Sequence, residues 1–272
     1  MLVLFAVIGG FIYKVTGIGN RIGSGLLTMD DVAAADIGKL VQFLFTVIVF
    51  GLTGYLYARV TFFERPGYHL GFRPAARSSF FLLAILLLVF AFPLEEWLGE
   101  LNKRIPLWHW MISSEQENDR QVEAFLKVHH PFDPVINVLI MAVVPAFCEE
   151  LCFRGALQRI MIQICKQPLT GILVSAFLFS FFHLQFEGFL PRMFLGVLLG
   201  AAYWYSGSLW VAIVAHFVFN AAQIVIAMYA PELLVKIASL LLLFVLPSLV
   251  IVVGLLYGFK KLSKTTYESV YG

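Results

Sequence analysis

Apolar runs of membrane-spanning length, more than any single motif, decide what this chain can become. They cover 40–58, 78–94, 134–164, 169–186, 192–205, 209–228 and 233–257. A helix needs about 20 predominantly apolar residues to cross the hydrocarbon core. A shorter run at 2–13 has no basic stretch before it and no small-residue cleavage signal after it. It reads as a first helix clipped at its start rather than as a signal peptide. The expectation is an all-α polytopic membrane protein of about eight transmembrane helices, a single integral membrane domain over 1–272. Composition agrees: 60% of residues are hydrophobic and 13% charged, against about 45–50% and 25% in globular domains.

Lysine and arginine in short loops set orientation. Arg59, Arg65, Arg73 and Arg77 follow the run at 40–58, Arg159 and Lys166 end the run at 134–164, and Lys260, Lys261 and Lys264 follow the last. With eight spans these groups share one side, expected to be cytoplasmic together with both termini, in a plasma (inner) membrane. A net charge of +2 is too small to suggest a nucleic-acid partner. Cys148, Cys152 and Cys165 form no CxxC pair and read as small packing residues without a disulfide. The stretch 95–133 is expected to be an extramembrane or interfacial loop, with its tryptophans at the membrane surface and a short amphipathic helix at 121–128.

One apolar run carries charges that need a reason. Glu149, Glu150 and Arg154 stand inside 134–164, where an ionised side chain costs roughly 2.5–3.5 kcal/mol on insertion scales. Glu150 and Arg154 are spaced i, i+4 and pair on one helix face. Glu149 lies about 100° round the helix and must face something else. The other strongly polar groups at membrane depth are His183, with Phe179 one turn before it, and His216 with Asn220 one turn after it. Counting about 1.5 Å per residue from the span ends puts His216 roughly 10 Å in, and Glu149 and His183 roughly 20 Å in. Their meeting therefore requires tilt or different helix ends. The acidic pair Glu95-Glu96, after Pro93 at a span end and beside Trp97, reads as interfacial.

A carboxylate, two histidines and an amide in a partly dry pocket suggest hydrolysis. Glu149 would take a proton from a water oriented by His183, and His216 and Asn220 would donate to the oxyanion. Zinc held by a glutamate and two histidines is the competing chemistry, with no HExxH to support it. A non-catalytic immunity or scaffold protein, and an ion or proton transporter, are the alternatives outside hydrolysis.

The three clusters resemble the motifs of the CaaX protease and bacteriocin-processing (CPBP, or Abi) family of intramembrane endopeptidases: EExxxR at Glu149–Arg154, FxxxH at Phe179–His183, and HxxxN at His216–Asn220. The motif-bearing core covers 134–228; the N-terminal half matches only in being helical and membrane-bound. The resemblance implies an eight-helix bundle with an intramembrane cavity open to the cytoplasm and bilayer. It gives Glu149 and His183 the water, His216 and Asn220 the oxyanion, and Glu150 with Arg154 a supporting role. It implies a peptide or lipidated protein substrate, and a metal-free glutamic peptidase is favoured over a metalloprotease.

Overall fold

The computed structural model describes residues 32–232 and 242–271. The run at 2–13 lies outside them, as does the first part of the run at 233–257. Among the described residues every regular element is a helix. In chain order they are α1 (32–61), α2 (Pro66–Leu70), α3 (Ser79–Asn102), α4 (His109–Leu126), α5 (Asp133–Cys165), α6 (Pro168–Phe182), α7 (Phe189–Ser206), α8 (Leu209–Tyr229), α9 (Val245–Leu262) and α10 (Tyr267–Tyr271).

Five of these, α1, α3, α5, α8 and α9, are long and apolar enough to cross a bilayer. The apolar helix α6 has only 15 residues, and α7 is less apolar, with Arg192 near its start and Tyr203, Trp204, Tyr205 and Ser206 at its end. The described residues thus support five spans of the eight expected. Exposed Leu82, Val89, Leu169, Leu246, Val250 and Val253 form the outer surface, as suits a bundle whose solvent is lipid.

Two apolar clusters hold the bundle. Phe80, Leu87, Leu198, Leu209, Val211 and Phe259 join α3, α7, α8 and α9, with Phe80 stacked on Phe259. Val49, Phe50, Cys152, Phe153 and Phe179 join α1, α5 and α6. All three cysteines are free thiols.

α5 runs 33 residues and Glu149 is its midpoint. Its winding loosens twice into π-helical turns, at Leu139–Val143 and at Leu151–Gln158. The first precedes Pro145, which has no N–H and crowds the carbonyl one turn back. The second begins directly after Glu150, and here Ser175 Oγ of α6 donates to Phe153 O at 3.2 Å. Such turns are frequent at functional sites.

The depth mismatch counted from sequence has a structural cause. α8 does not begin at the surface: Ser208 and Leu209 are fully buried. The segment after α2 covers them, with Leu209 N donating to Gly71 O at 2.8 Å and Ser208 Oγ to Arg73 O at 2.6 Å. Gly71 has φ +101°, and a Cβ there would meet Tyr203 Cε2 at 2.7 Å, so only glycine fits this cover. With α8 starting beneath this cover, His216 comes level with the middle of α5, its Nδ1 2.8 Å from Glu150 Oε1.

The bundle has two distinct ends. At one, Arg73 Nε donates to Gly207 O at 2.7 Å and Tyr271 OH to Arg159 O at 3.4 Å; the basic loops and α10 gather there. At the other, Asn102 Nδ2 donates to Phe186 O at 2.7 Å, and Glu115 Oε1 accepts from the amides of Phe186 and Glu187. At this second end the expected loop is instead occupied largely by helix. α3 continues to Asn102, and α4 is an 18-residue helix whose Phe125 packs with Ala35. Its polar sequence lacks an apolar run, because only Glu115, Ala124 and Phe125 of the helix are buried.

Candidate active site

Glu149 and Glu150 are neighbours with different surroundings. Glu150 is fully buried, and its Oε1 accepts from Arg154 Nη1 at 2.7 Å and from His216 Nδ1 at 2.8 Å. Arg154, 1% exposed, also donates through Nη2 to Gly196 O of α7 at 3.3 Å and lies 4.4 Å over the Phe179 ring. One turn on, Gln158 Nε2 donates to Gly200 O at 3.0 Å. A Cβ at Gly200 would meet Gln158 Oε1 at 2.6 Å, so the small residue admits that side chain between α5 and α7. The i, i+4 pairing of Glu150 with Arg154 is as expected from sequence.

Glu149 faces the other way, onto the wall of a cavity of about 400 Å³ that it shares with His183, His216 and Asn220. His183 Nε2 stands 3.7 Å from Glu149 Oε2. His183 Nδ1 lies 2.7 Å from Phe179 O. A carbonyl only accepts, so Nδ1 carries the hydrogen, and in neutral His183 the Nε2 lone pair faces Glu149. Two acceptors then converge where a water has two hydrogens to give. Phe179 holds this arrangement from below, edge-on to His183 at 4.7 Å and to His216 at 6.3 Å.

His216 differs from its expected role in one respect. Its Nδ1 meets the same Glu150 oxygen that accepts from Arg154 Nη1, so Nδ1–H donates to Glu150. Nε2 then has a hydrogen to give only in the imidazolium form. The Asn220 amide, also on the cavity wall, makes no hydrogen bond within the described residues, and its N–H is available in every protonation state. The six motif residues thus divide in the structure: Glu149, His183, His216 and Asn220 line one cavity, and Glu150 and Arg154 lie behind it.

Zinc needs three protein ligands converging within about 2.0–2.2 Å of one point. Among the described residues, no group of three or more His, Cys, Asp or Glu side chains is placed to hold a metal ion. As they stand, these side chains do not converge as zinc ligands do.

Sequence reasoning missed part of the cavity wall. Glu95, read as interfacial, lines the cavity, and its Oε2 is buried without a partner. Arg192, Gln185, Gln121 and Asn118 line it too. A second cavity of about 650 Å³ adjoins, sharing Glu95, Met141, Asn220 and Gln223 and adding apolar Phe92, Leu126 and Ile224. The signal for Glu95 was its place about two turns before the end of a long apolar helix. Nothing local marks Arg192.

These lining residues belong to the last turns of α3, to α4, the 183–188 turn and the start of α7, which is the end away from the basic loops. The expectation grouped the basic loops and the cavity opening on one face; in the structure they lie toward different ends of the bundle. Alternating helix directions place the cavity in the opposite half of the bundle.

Residues 131–222 match the family model described as Type II CAAX prenyl endopeptidase Rce1-like. The segment is Rce1-like. It carries all three motifs, so the resemblance to the CAAX-protease family is borne out where the site residues stand. α3 and α4, which bring Glu95 and Gln121 to the cavity, lie outside the match. No curated protein and no solved structure gives a match.

Proposed function

We propose that the protein is an intramembrane endopeptidase in which Glu149 activates the attacking water. The observation that carries this reading is the pair of acceptors, Glu149 Oε2 and His183 Nε2, 3.7 Å apart on the wall of a cavity. A water bound to both presents its oxygen lone pair to a peptide carbonyl. As the C–O bond forms, Glu149 takes the proton, and the Asn220 amide donates to the developing oxyanion. His216 adds a second donor when it is imidazolium, with Glu150 as its counter-ion. Collapse of the tetrahedral adduct breaks the C–N bond, and Glu149 returns its proton to the leaving amine.

Glu150 and Arg154 act as positioning residues, fixing the His216 ring through Nδ1. The apolar wall of the adjoining cavity supports a substrate carrying a hydrocarbon group beside its scissile bond. The unpaired Glu95 Oε2 on the cavity wall favours a reactive site over a purely structural ion cluster, because buried polar groups kept for packing are normally satisfied.

Purified protein in detergent should cleave a quenched fluorescent prenylated CaaX peptide. Glu149→Ala and His216→Ala should each lose cleavage, and a zinc chelator should leave the wild-type rate unchanged. Loss of activity on chelation, restored by zinc, would overturn the glutamate-only chemistry.

A further inference from the structure

The cavity wall holds a cation without a counter-ion. Arg192, in the first turn of α7, is half-buried and lines the same cavity as Glu149 and Asn220. Its Nη1 donates to Gln185 O at 3.1 Å and its Nη2 to Gln185 Oε1 at 2.5 Å. A Cβ at position 188 would meet Arg192 Nη2 at 2.8 Å, so Gly188 leaves room for the guanidinium against the backbone. No carboxylate oxygen among the described residues lies within 4.0 Å of it. Nε–H and one hydrogen on each terminal nitrogen are left without a partner.

The carboxylates that act on it from a distance are Glu115, Glu149 and Glu95. Glu115 is engaged by the amides of Phe186 and Glu187, and Glu149 faces His183. Glu95 is left with a buried, unpartnered Oε2 on the same wall. The cavity therefore presents an unmatched planar cation and an unmatched acceptor together. The end of an extended peptide supplies both partners: a terminal carboxylate for the guanidinium, and a backbone N–H for the acceptor.

Resting on the peptidase reading, we infer that Arg192 is a specificity residue that docks the free C-terminal carboxylate of the substrate peptide. Guanidinium pairs carboxylate in a two-pronged, charge-assisted geometry that a carboxamide does not reproduce.

The test measures binding, so that it does not depend on turnover. Full-length Glu149→Gln protein in phosphatidylcholine nanodiscs is titrated with a fluorescent prenylated CaaX peptide ending in a carboxylate, and with its carboxamide twin. The carboxylate peptide should bind about tenfold tighter or more. Adding Arg192→Gln should remove that preference, and adding Arg192→Lys should keep part of it.

Equal binding of the two peptides by the Arg192-bearing protein, a comparison that needs no substitution at 192, would overturn the inference. So would a preference that survives Arg192→Gln. If the anion is instead a lipid phosphate, phosphatidylglycerol will weaken both peptides alike and neither will be preferred, which also overturns it. Wild-type turnover is read separately. Carboxylate preference without cleavage would sink the peptidase reading alone, and cleavage without preference would sink only the docking role.

Discussion

Two adjacent residues divide the labour of this molecule. Glu150 is fully buried and gives one oxygen to both Arg154 and His216, tying α5 to α7 and α8. Glu149, one residue earlier, looks into a cavity where its nearest ionisable partner is His183 at 3.7 Å. A charge that holds helices together must be matched, whereas a charge that does chemistry must be left partly unmatched. The difference teaches that membrane-buried carboxylates are told apart by what completes their hydrogen bonding, and that depth alone does not distinguish them.

The largest effect should come from breaking the matched side. Glu150→Ala leaves Arg154 charged and buried with only Gly196 O and the Phe179 ring for company. Removing one member of such a pair costs about 3–5 kcal/mol, read as a large drop in melting temperature in detergent together with loss of activity. A variant that melts like wild type would erase the contrast between the two residues.

On the cavity side the effect should fall on rate and spare stability. Asn220→Ala removes a donor that makes no bond in the resting protein, and should lower kcat by about 10²–10³-fold while thermal melting is unchanged. A shift in melting with kcat intact would move Asn220 to the structural side.

The smallest effect is expected behind the site. Ser175→Ala deletes the bond to Phe153 O at the π-helical turn of α5, worth about 0.5–1.5 kcal/mol. It should lower the melting temperature slightly and leave cleavage near wild type. A large loss of activity would show that this turn tunes Glu149 directly.

What was legible in the sequence was local. The Glu150–Arg154 pair follows from helical spacing alone, and the apolar runs at 78–94, 134–164 and 209–228 correspond to α3, α5 and α8 within a few residues at all but one end. The convergence of Glu149, His183, His216 and Asn220 on one cavity was legible because each is a polar group stranded in an apolar run. The Glu150–His216 bond was not, since it joins residues 66 apart and depends on α8 starting beneath the cover after α2. Likewise, α4 is polar along most of its length, so its place against the cavity is set by tertiary packing. Arg192 and Glu95 sit near helix ends, where charges usually meet water, and only the folded bundle shows them on the cavity wall.

The most direct measurement compares Glu149→Gln with Glu150→Gln in one preparation, reading melting temperature and cleavage of the prenylated CaaX peptide for each. Glu149→Gln should melt like wild type and lose cleavage by about 10²–10⁴-fold, whereas Glu150→Gln should melt well below wild type. Substantial cleavage by a well-folded Glu149→Gln protein would contradict the claim that this carboxylate activates the water.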